Sequence, residues 1–373
     1  MRQHAPPLKS LARLDDVRDL VAAPGPFLSV HLSFRPPSHD LAERIALGWR
    51  SSRDAAAAAG APLSVLEAVD EIIEAGPQRQ GAGLSVVVTP EGRRLVDHLT
   101  VAPDVELVGW EPAPALTPLL AARQTAVPHI VVLVDRAGGD LLVRTADATR
   151  GGEERAVEGA ESPLRKVAAG GWSQRRIQQR AEDTWRRNMA DLARQVAVLA
   201  RRVDPGLIAV GGDERAVNLL RESLPSALRE LTRPVDVTRA ADGSADDLDV
   251  HVERLLRAHL DEELTHTLGV YRRELGQHDR ATAGPVDTFA ALGAGRVAVL
   301  LATLGTNDTR RAWIAPDRQQ VAMTPDALPD SADAQSAPLV DAAIAVALAT
   351  NADVRIVAEQ DAPSGGIGAL LRW

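Results

Sequence analysis

The sequence predicts an α/β protein built of three mixed domains, and three observations carry that expectation. At 373 residues and 39.7 kDa the chain exceeds the size at which one hydrophobic core stops growing. Its 45% hydrophobic content rules out wholesale disorder. Short β-rich apolar runs such as His129–Asp135 alternate with long stretches of helical periodicity. The expected divisions are residues 1–127, 128–233 and 234–373. The middle domain carries a glycine-rich loop ahead of a long helix, and the last domain is a small α/β sandwich.

In the first segment, Pro26–Leu32 and Gly83–Val88 read as strands, and Asp40–Ala59 and Leu63–Ala75 as helices. Thr89-Pro90-Glu91-Gly92 marks a turn. Arg94–Val101 and Val105–Trp110 are further strands, and Leu116–Gln124 is a short connecting helix.

The second segment opens on His129–Asp135, turns at Arg136-Ala137-Gly138-Gly139 and returns through Asp140–Arg144 as a hairpin. Thr145–Ser162 is polar and glycine-bearing and reads as a loop. Beyond it, Ser173 can cap a helix whose apolar face runs through Ile177, Ala181, Trp185, Asn188, Leu192, Val196, Leu199 and Val203. Asp204-Pro205-Gly206 stops that helix. A strand at Leu207–Val210, a turn at Gly211-Gly212-Asp213 and a helix to about Leu220 follow. This strand, turn and helix could cradle a phosphate. It lacks both the dinucleotide glycine fingerprint and the P-loop lysine, so an ordinary β-turn-α connection explains it better.

The third segment starts with a strand at Pro234–Val237 and a long helix from about Leu248 to Leu275. Asp287–Leu292 reads as a helix, Arg296–Leu304 and Arg311–Ile314 as strands, and Met323–Ala337 as a loop. Leu339–Ala349 returns to helix, Asp353–Val357 to strand, and Gly365–Trp373 to a terminal strand.

Composition narrows the functional classes. No cysteine is present, which removes disulfides, thiolate metal sites and cysteine nucleophiles and fits a reducing cytoplasm. No apolar run approaches a membrane span, so the expectation is a soluble, cytoplasmic protein. A net charge of -9 argues against indiscriminate nucleic-acid binding; any such surface must be a local cluster. Lys9 and Lys166 are the only lysines. Nearly all positive charge is therefore arginine, whose planar fork suits phosphates and base stacking; GC-rich codon usage explains the same bias. His39 has no metal-spaced partner, and His251, His259 and His266 read as solvated helix faces. No metal, cofactor or catalytic triad is expected.

The segment Ala169-Gly170-Gly171-Trp172-Ser173-Gln174-Arg175-Arg176-Ile177 concentrates what chemistry there is. Adjacent glycines free the backbone for a narrow slot. Arg175, Arg176 and Arg180 fall in the first two helical turns, where the dipole disfavours cations by about 0.3–1 kcal/mol each. A nearby polyanion accounts for that placement; a solvated helix end is the alternative. Trp49, Trp110, Trp185 and Trp313 read as core or interface anchors. Trp172, beside two glycines in a polar stretch, does not.

On these residues the chain resembles the archaeo-eukaryotic class-one release factor and Pelota superfamily in its bacterial branch. Gly170-Gly171-Trp172 followed by Ser173, Arg176 and Ile177 is similar to the Gly-Gly-Gln loop and helix start of that superfamily. The hairpin His129–Arg144 and the strand Gly206–Gly211 flank it in the same order. Asp287–Leu304 resembles the helix-glycine-strand passage of the superfamily's C-terminal domain. Gly365-Gly366-Ile367-Gly368-Ala369-Leu370-Leu371-Arg372 resembles the Pelota ending. The Asn-Ile-Lys-Ser stop-codon motif is missing.

The resemblance implies a ribosomal role and a changed tip. In such factors the loop glutamine and nearby N–H groups position water in the peptidyl transferase centre. An indole has one donor and no acceptor and cannot do so, but it can stack on a base. The chain resembles the bacterial family containing the hibernation factor Balon, which implies A-site occupancy that blocks translation without hydrolysis. Gly170, Gly171, Trp172, Ser173, Gln174, Arg175, Arg176 and Arg180 would contact rRNA at the peptidyl transferase centre. It further implies elongation factor Tu as a partner, no DNA or membrane partner, and a monomer when free. Vms-type peptidyl-tRNA hydrolases use shifted glycine-serine-glutamine loops, so hydrolysis through Gln174 stays open as the alternative. At the decoding end the candidate is Arg35-Pro36-Pro37-Ser38-His39, a stiff loop between the first strand and helix; an ordinary connector is its competing reading.

Overall fold

The computed structural model describes residues 14–36, 39–76, 81–135, 138–145, 153–158, 171–236, 245–303, 308–329 and 331–373, with backbone alone for 153–158, 171–182 and 245–247. Its elements run α1 (Asp15–Val21), β1 (Phe27–Ser33), α2 (Leu41–Ala58), α3 (Leu63–Glu74), β2 (Gly83–Val88), β3 (Arg94–Leu99), β4 (Leu107–Glu111), α4 (Thr117–Thr125), β5 (His129–Val134), β6 (Gly138–Arg144) and β7 (Glu153–Glu158). Then follow α5 (Gly171–Val203), β8 (Leu207–Gly212), α6 (Glu214–Ser223), α7 (Ser226–Glu230), β9 (Thr232–Pro234), α8 (Ala245–Gly276), β10 (Ala281–Ala283), α9 (Pro285–Gly293), β11 (Val297–Thr303), β12 (Arg311–Ile314), β13 (Val321–Ala322), β14 (Gln335–Pro338), α10 (Leu339–Ala349), β15 (Asp353–Val357) and β16 (Ile367–Leu371). The expected mixed α/β character holds. No described helix is long and apolar enough to cross a membrane.

The three expected sequence segments resolve into two compact units. Residues up to Ala126 and from Leu264 onward form most of one; the other lies wholly between Val127 and Glu263.

In the first unit, the antiparallel sheet β3-β2-β1-β4 is covered on both faces. Leu28, Val30, Leu84 and Val86 pack beneath α2 and α3 through Ile45, Trp49, Leu66 and Val69. On the other face Phe27, Val87, Leu95 and Leu99 meet α4 and residues far along the chain, including Leu300, Leu339, Ile344, Leu348 and Ile356. That shared core is why the N-terminal and C-terminal segments do not separate. Apolar burial supplies the cohesion, at about 25 cal/mol per Å², and specific polar contacts fix the alignment. Gln124 uses its side-chain amide as a strand would: Nε2 donates to the Ile356 carbonyl at 2.6 Å, and the Ile356 N–H donates to Oε1 at 3.1 Å. β15 is an edge strand in the sheet β10-β16-β11-β15, so the amide occupies groups that edge would otherwise leave open. Arg18 donates to Asp353 at 3.1 Å and to the Ala352 carbonyl at 3.2 Å, and Arg311 holds both Glu111 carboxylate oxygens at 3.3 and 2.8 Å. Arg318, 8% exposed, donates to the Pro112 carbonyl at 3.0 Å and lies 4.8 Å from the Phe27 ring centroid. The smaller sheet β13-β12-β14 completes this unit.

The second unit is a five-stranded sheet of order β7-β6-β5-β8-β9, antiparallel on one side of β5 and parallel on the other. α5 and α6 cover one face: Met189, Leu192, Val196, Leu199 and Leu220 pack on Ile130, Val132, Leu141, Ile208 and Val210. The first half of α8 covers the opposite face with Leu248, Val252, Leu255 and Leu256. The middle domain therefore extends past residue 233: β9 completes its sheet, and α8 to Glu263 completes its core.

Several element expectations are corrected. Part of the polar stretch Thr145–Ser162 is the strand β7, paired along β6 from Gly138↔Glu158 to Val143↔Glu153. Met323–Ala337 contains two single-turn 3-10 helices and most of β14, closed by antiparallel pairing of β14 to β12. The strand expected at Pro234–Val237 is β9, Thr232–Pro234, because Ile208↔Thr232 sets its register. α1, α7 and β10 are additional elements.

Candidate nucleic-acid interface

α5 is 33 residues long, about 50 Å at 1.5 Å per residue, and its burial shows how it is held. Asn188, Leu192, Val196, Leu199 and Val203 are buried, as the helical period requires, with Met189, Ala193 and Ala200 alongside. Trp185 is half-buried, with the Arg215 guanidinium 5.6 Å from its ring centroid.

The N-terminal end of α5 is where the sequence places the tip. The helix begins at Gly171 rather than after a Ser173 cap. Gly171, Trp172, Ser173 and Gln174 are its first four residues, and in an α-helix the backbone N–H groups of the first three have no intrahelical acceptor. A glycine tolerates helical φ and ψ as it does others, so the helix extends two residues further than side-chain capping suggests. Arg175, Arg176 and Arg180 continue the same backbone; Gly170 lies outside the described residues.

The decoding-end candidate falls in the first unit, between β1 and α2. Arg35, Pro36 and His39 are exposed; Pro37 and Ser38 lie outside the described residues. The Arg35 N–H donates to Ser33 Oγ at 3.2 Å and Arg44 donates to the Arg35 carbonyl at 3.2 Å, which ties the base of the loop to α2. The tip and this loop belong to different units.

The β8-α6 turn is built for packing, not for phosphate. Gly212 has φ +124, and a Cβ there would meet the Val134 carbonyl oxygen at 1.8 Å, so glycine is needed for close approach to β5. Asp213 caps α6, its carboxylate accepting from the N–H groups of Arg215 and Ala216 at 3.1 Å each. That carboxylate occupies the donors a phosphate would use and repels one.

Of the histidines read as solvated helix faces, His266 is exposed, whereas His251 and His259 are half-buried on the part of α8 that belongs to the second unit. Among the described residues, no group of three or more His, Asp or Glu is placed to hold a metal ion. Sequence reading missed two buried ionisable features. His31 is fully buried on β1; burial pushes it down to about 4, against the opposing effect of its Nε2 contact with the Ala115 carbonyl at 2.6 Å. Asp341, in the first turn of α10, is pushed up to about 7 by burial and by Glu111 nearby. Neither has a signature in sequence, because each depends on which distant segment covers it.

Comparison with known proteins places this helix in context. Residues 128–277 match the model of bacterial archaeo-eukaryotic release factor family 2, a span that covers the β5–β6 hairpin, the tip, α5 and all of α8. Two uncharacterized proteins of Mycobacterium tuberculosis, Rv2629 of strain H37Rv and MT2704 of strain CDC 1551, are each 26% identical over 375 residues, covering 97% of this chain and 97% of their own. Among solved structures, an archaeal translation termination factor, aRF1, is 14% identical with a TM-score of 0.27, covering 98% of this chain and 99% of its own. Archaeoglobus fulgidus Pelota is 16% identical, with a TM-score of 0.33 and coverage of 78% and 79%. Dom34 of S. cerevisiae, described as a translation termination-like factor, is 10% identical, with a TM-score of 0.39 and the same coverage.

Proposed function

We propose that the protein is a ribosome-binding factor that occupies the A site, sets the Gly170-Gly171-Trp172 segment in the peptidyl transferase centre and blocks translation without cleaving peptidyl-tRNA. The observation that carries this reading is Trp172. It stands inside the segment matched to a release factor family, at the place where the resemblance puts the superfamily's glutamine. An amide side chain donates and accepts and can hold a water against an ester; an indole only donates. Its wide apolar ring instead favours stacking on a base, worth about 1–3 kcal/mol. The exchange turns a hydrolytic tip into a binding tip. Backbone N–H groups of the first turn of α5 and the side chains of Arg175, Arg176 and Arg180 would supply phosphate contacts beside it.

Under this reading the biological role is hibernation of the kind attributed to Balon-type factors: idle ribosomes are occupied and both functional centres shielded. Arg35, Pro36, Pro37, Ser38 and His39 would face the decoding centre, and elongation factor Tu is the partner to examine first.

Peptidyl-tRNA release from programmed ribosomes tests the non-hydrolytic part. The expected result is no release above background from the wild-type chain and no change with Gln174→Ala. Release that disappears in Gln174→Ala would contradict the reading and make the protein a hydrolase.

A further inference from the structure

The solvent side of α5 carries a second feature, well away from the tip. Arg187, Arg194 and Arg201 are spaced seven residues apart and all three are exposed. A straight α-helix drifts only about 20° per seven residues. The three guanidinium stems therefore leave the same face, about 10.5 Å apart, over about 21 Å of helix. The opposite face is the buried one, through Met189, Leu192, Val196, Leu199 and Val203. Val198, 55% exposed, lies between Arg194 and Arg201 on the same side.

Charge on this helix runs against the protein as a whole. α5 contains eight arginines against three carboxylates, Glu182, Asp183 and Asp191, while the chain carries -9. After Asp191 the helix has no further acid. Arg194 is ion-paired to Asp191 within the helix, and Arg187 donates to the Asp183 carbonyl at 3.3 Å. Both contacts are local and exposed, and such pairs hold by less than about 1 kcal/mol, so they yield to a stronger anion. The helix dipole favours Arg201 and Arg202 in the last turn. It gives no reason for the seven-residue phase, nor for an exposed valine within it.

We infer that Arg187, Arg194 and Arg201 form a rail along α5 that lies on the phosphate backbone of a folded RNA helix, a contact separate from that of the Trp172 tip. A nucleic-acid backbone offers phosphates every few ångström along each strand, so one is in reach at every step of the rail. Arginine suits it because its fork binds phosphate oxygens in pairs. Backbone phosphates carry no base identity, so the contact contributes position and affinity without sequence preference. Given the proposed function, that RNA is ribosomal, and the inference rests on that reading.

The test measures binding of the full chain to purified 70S ribosomes across a salt series, for four proteins: wild type, the triple variant Arg187→Gln/Arg194→Gln/Arg201→Gln, Trp172→Ala, and a control Arg254→Gln/Arg257→Gln on the exposed side of α8. Losing three phosphate contacts should flatten the slope of log affinity against log salt by about 2–3, with the control unchanged and all melting temperatures alike. A photo-crosslinking amino acid at position 198 should give an rRNA adduct. A wild-type slope in the triple variant, with Trp172→Ala still weakened, would overturn the rail and leave the proposed function standing. An adduct confined to a ribosomal protein would also overturn it, in favour of an acidic protein face. If the wild-type chain does not bind ribosomes, the rail and the proposed function fall together.

Discussion

Asp341→Asn should stabilise the protein, and increasingly so as pH rises. Asp341 sits in the first turn of α10, where the helix dipole favours an ionised carboxylate by about 0.3–1 kcal/mol. Burial and the Glu111 charge outweigh that and lift it from 3.8 to about 7. Above pH 7 both folded and unfolded chains carry the ionised group, and the folded one bears the full cost. Between pH 4 and 7 the unfolded chain has released this proton while the folded chain keeps it, so stability falls as pH rises through this window. Below pH 4 both states are protonated and no cost remains. A rise from 3.8 to about 7 converts, at about 1.4 kcal/mol per unit, to about 4 kcal/mol. Because the residue retains some solvent exposure, screening brings this nearer 2 kcal/mol. Asparagine has the shape of the neutral acid and never ionises. Urea unfolding of both proteins at intervals from pH 4 to 8.5 should show curves that coincide at the acid end and separate by about 2 kcal/mol at pH 8. A difference that does not change with pH, or a less stable asparagine variant at pH 8, would refute the reasoning about this junction.

Three further outcomes follow from the packing. Gly212→Ala places a Cβ 1.8 Å from the Val134 carbonyl oxygen at a φ of +124, and should cost more than about 3 kcal/mol in unfolding experiments. Gln124→Ala strips the Ile356 N–H and carbonyl of their partners and should cost about 1–3 kcal/mol, detectable as faster hydrogen exchange at Ile356. Arg318→Met keeps the apolar stem over Phe27 and removes a largely buried cation that has no carboxylate partner among its described contacts. It should change the melting temperature little or raise it, whereas Arg318→Ala, which also empties the space, should lower it.

What could be read from sequence depended on whether the signal was local. The buried face of α5 was legible because Leu192, Val196, Leu199 and Val203 recur at helical spacing. β1 and β2 were legible as apolar runs because both faces of their sheet are covered. β7 was not: Glu153-Glu154-Arg155-Ala156-Val157-Glu158 is an edge strand, and edge strands carry charge that resembles a polar loop. The common core of the N-terminal and C-terminal segments had no local signature, since Phe27 joins one buried cluster with Leu300 and Ile344 only after folding. At the candidate site, the glycine pair and the arginines were visible in sequence, but the helix start at Gly171 was not, because the preceding Ala169-Gly170 offers no capping side chain to read. The seven-residue arginine phase lay in plain view. It gained meaning only once burial showed which side of α5 faces solvent.

Chemical probing of peptidyl transferase centre rRNA in 70S ribosomes, with wild-type protein and with Trp172→Ala, tests the central claim most directly. The account predicts that wild-type protein shields A-site bases there and that Trp172→Ala loses that shielding while keeping its melting temperature. Full shielding by Trp172→Ala, or none by the wild-type chain at concentrations that saturate ribosome binding, would contradict it.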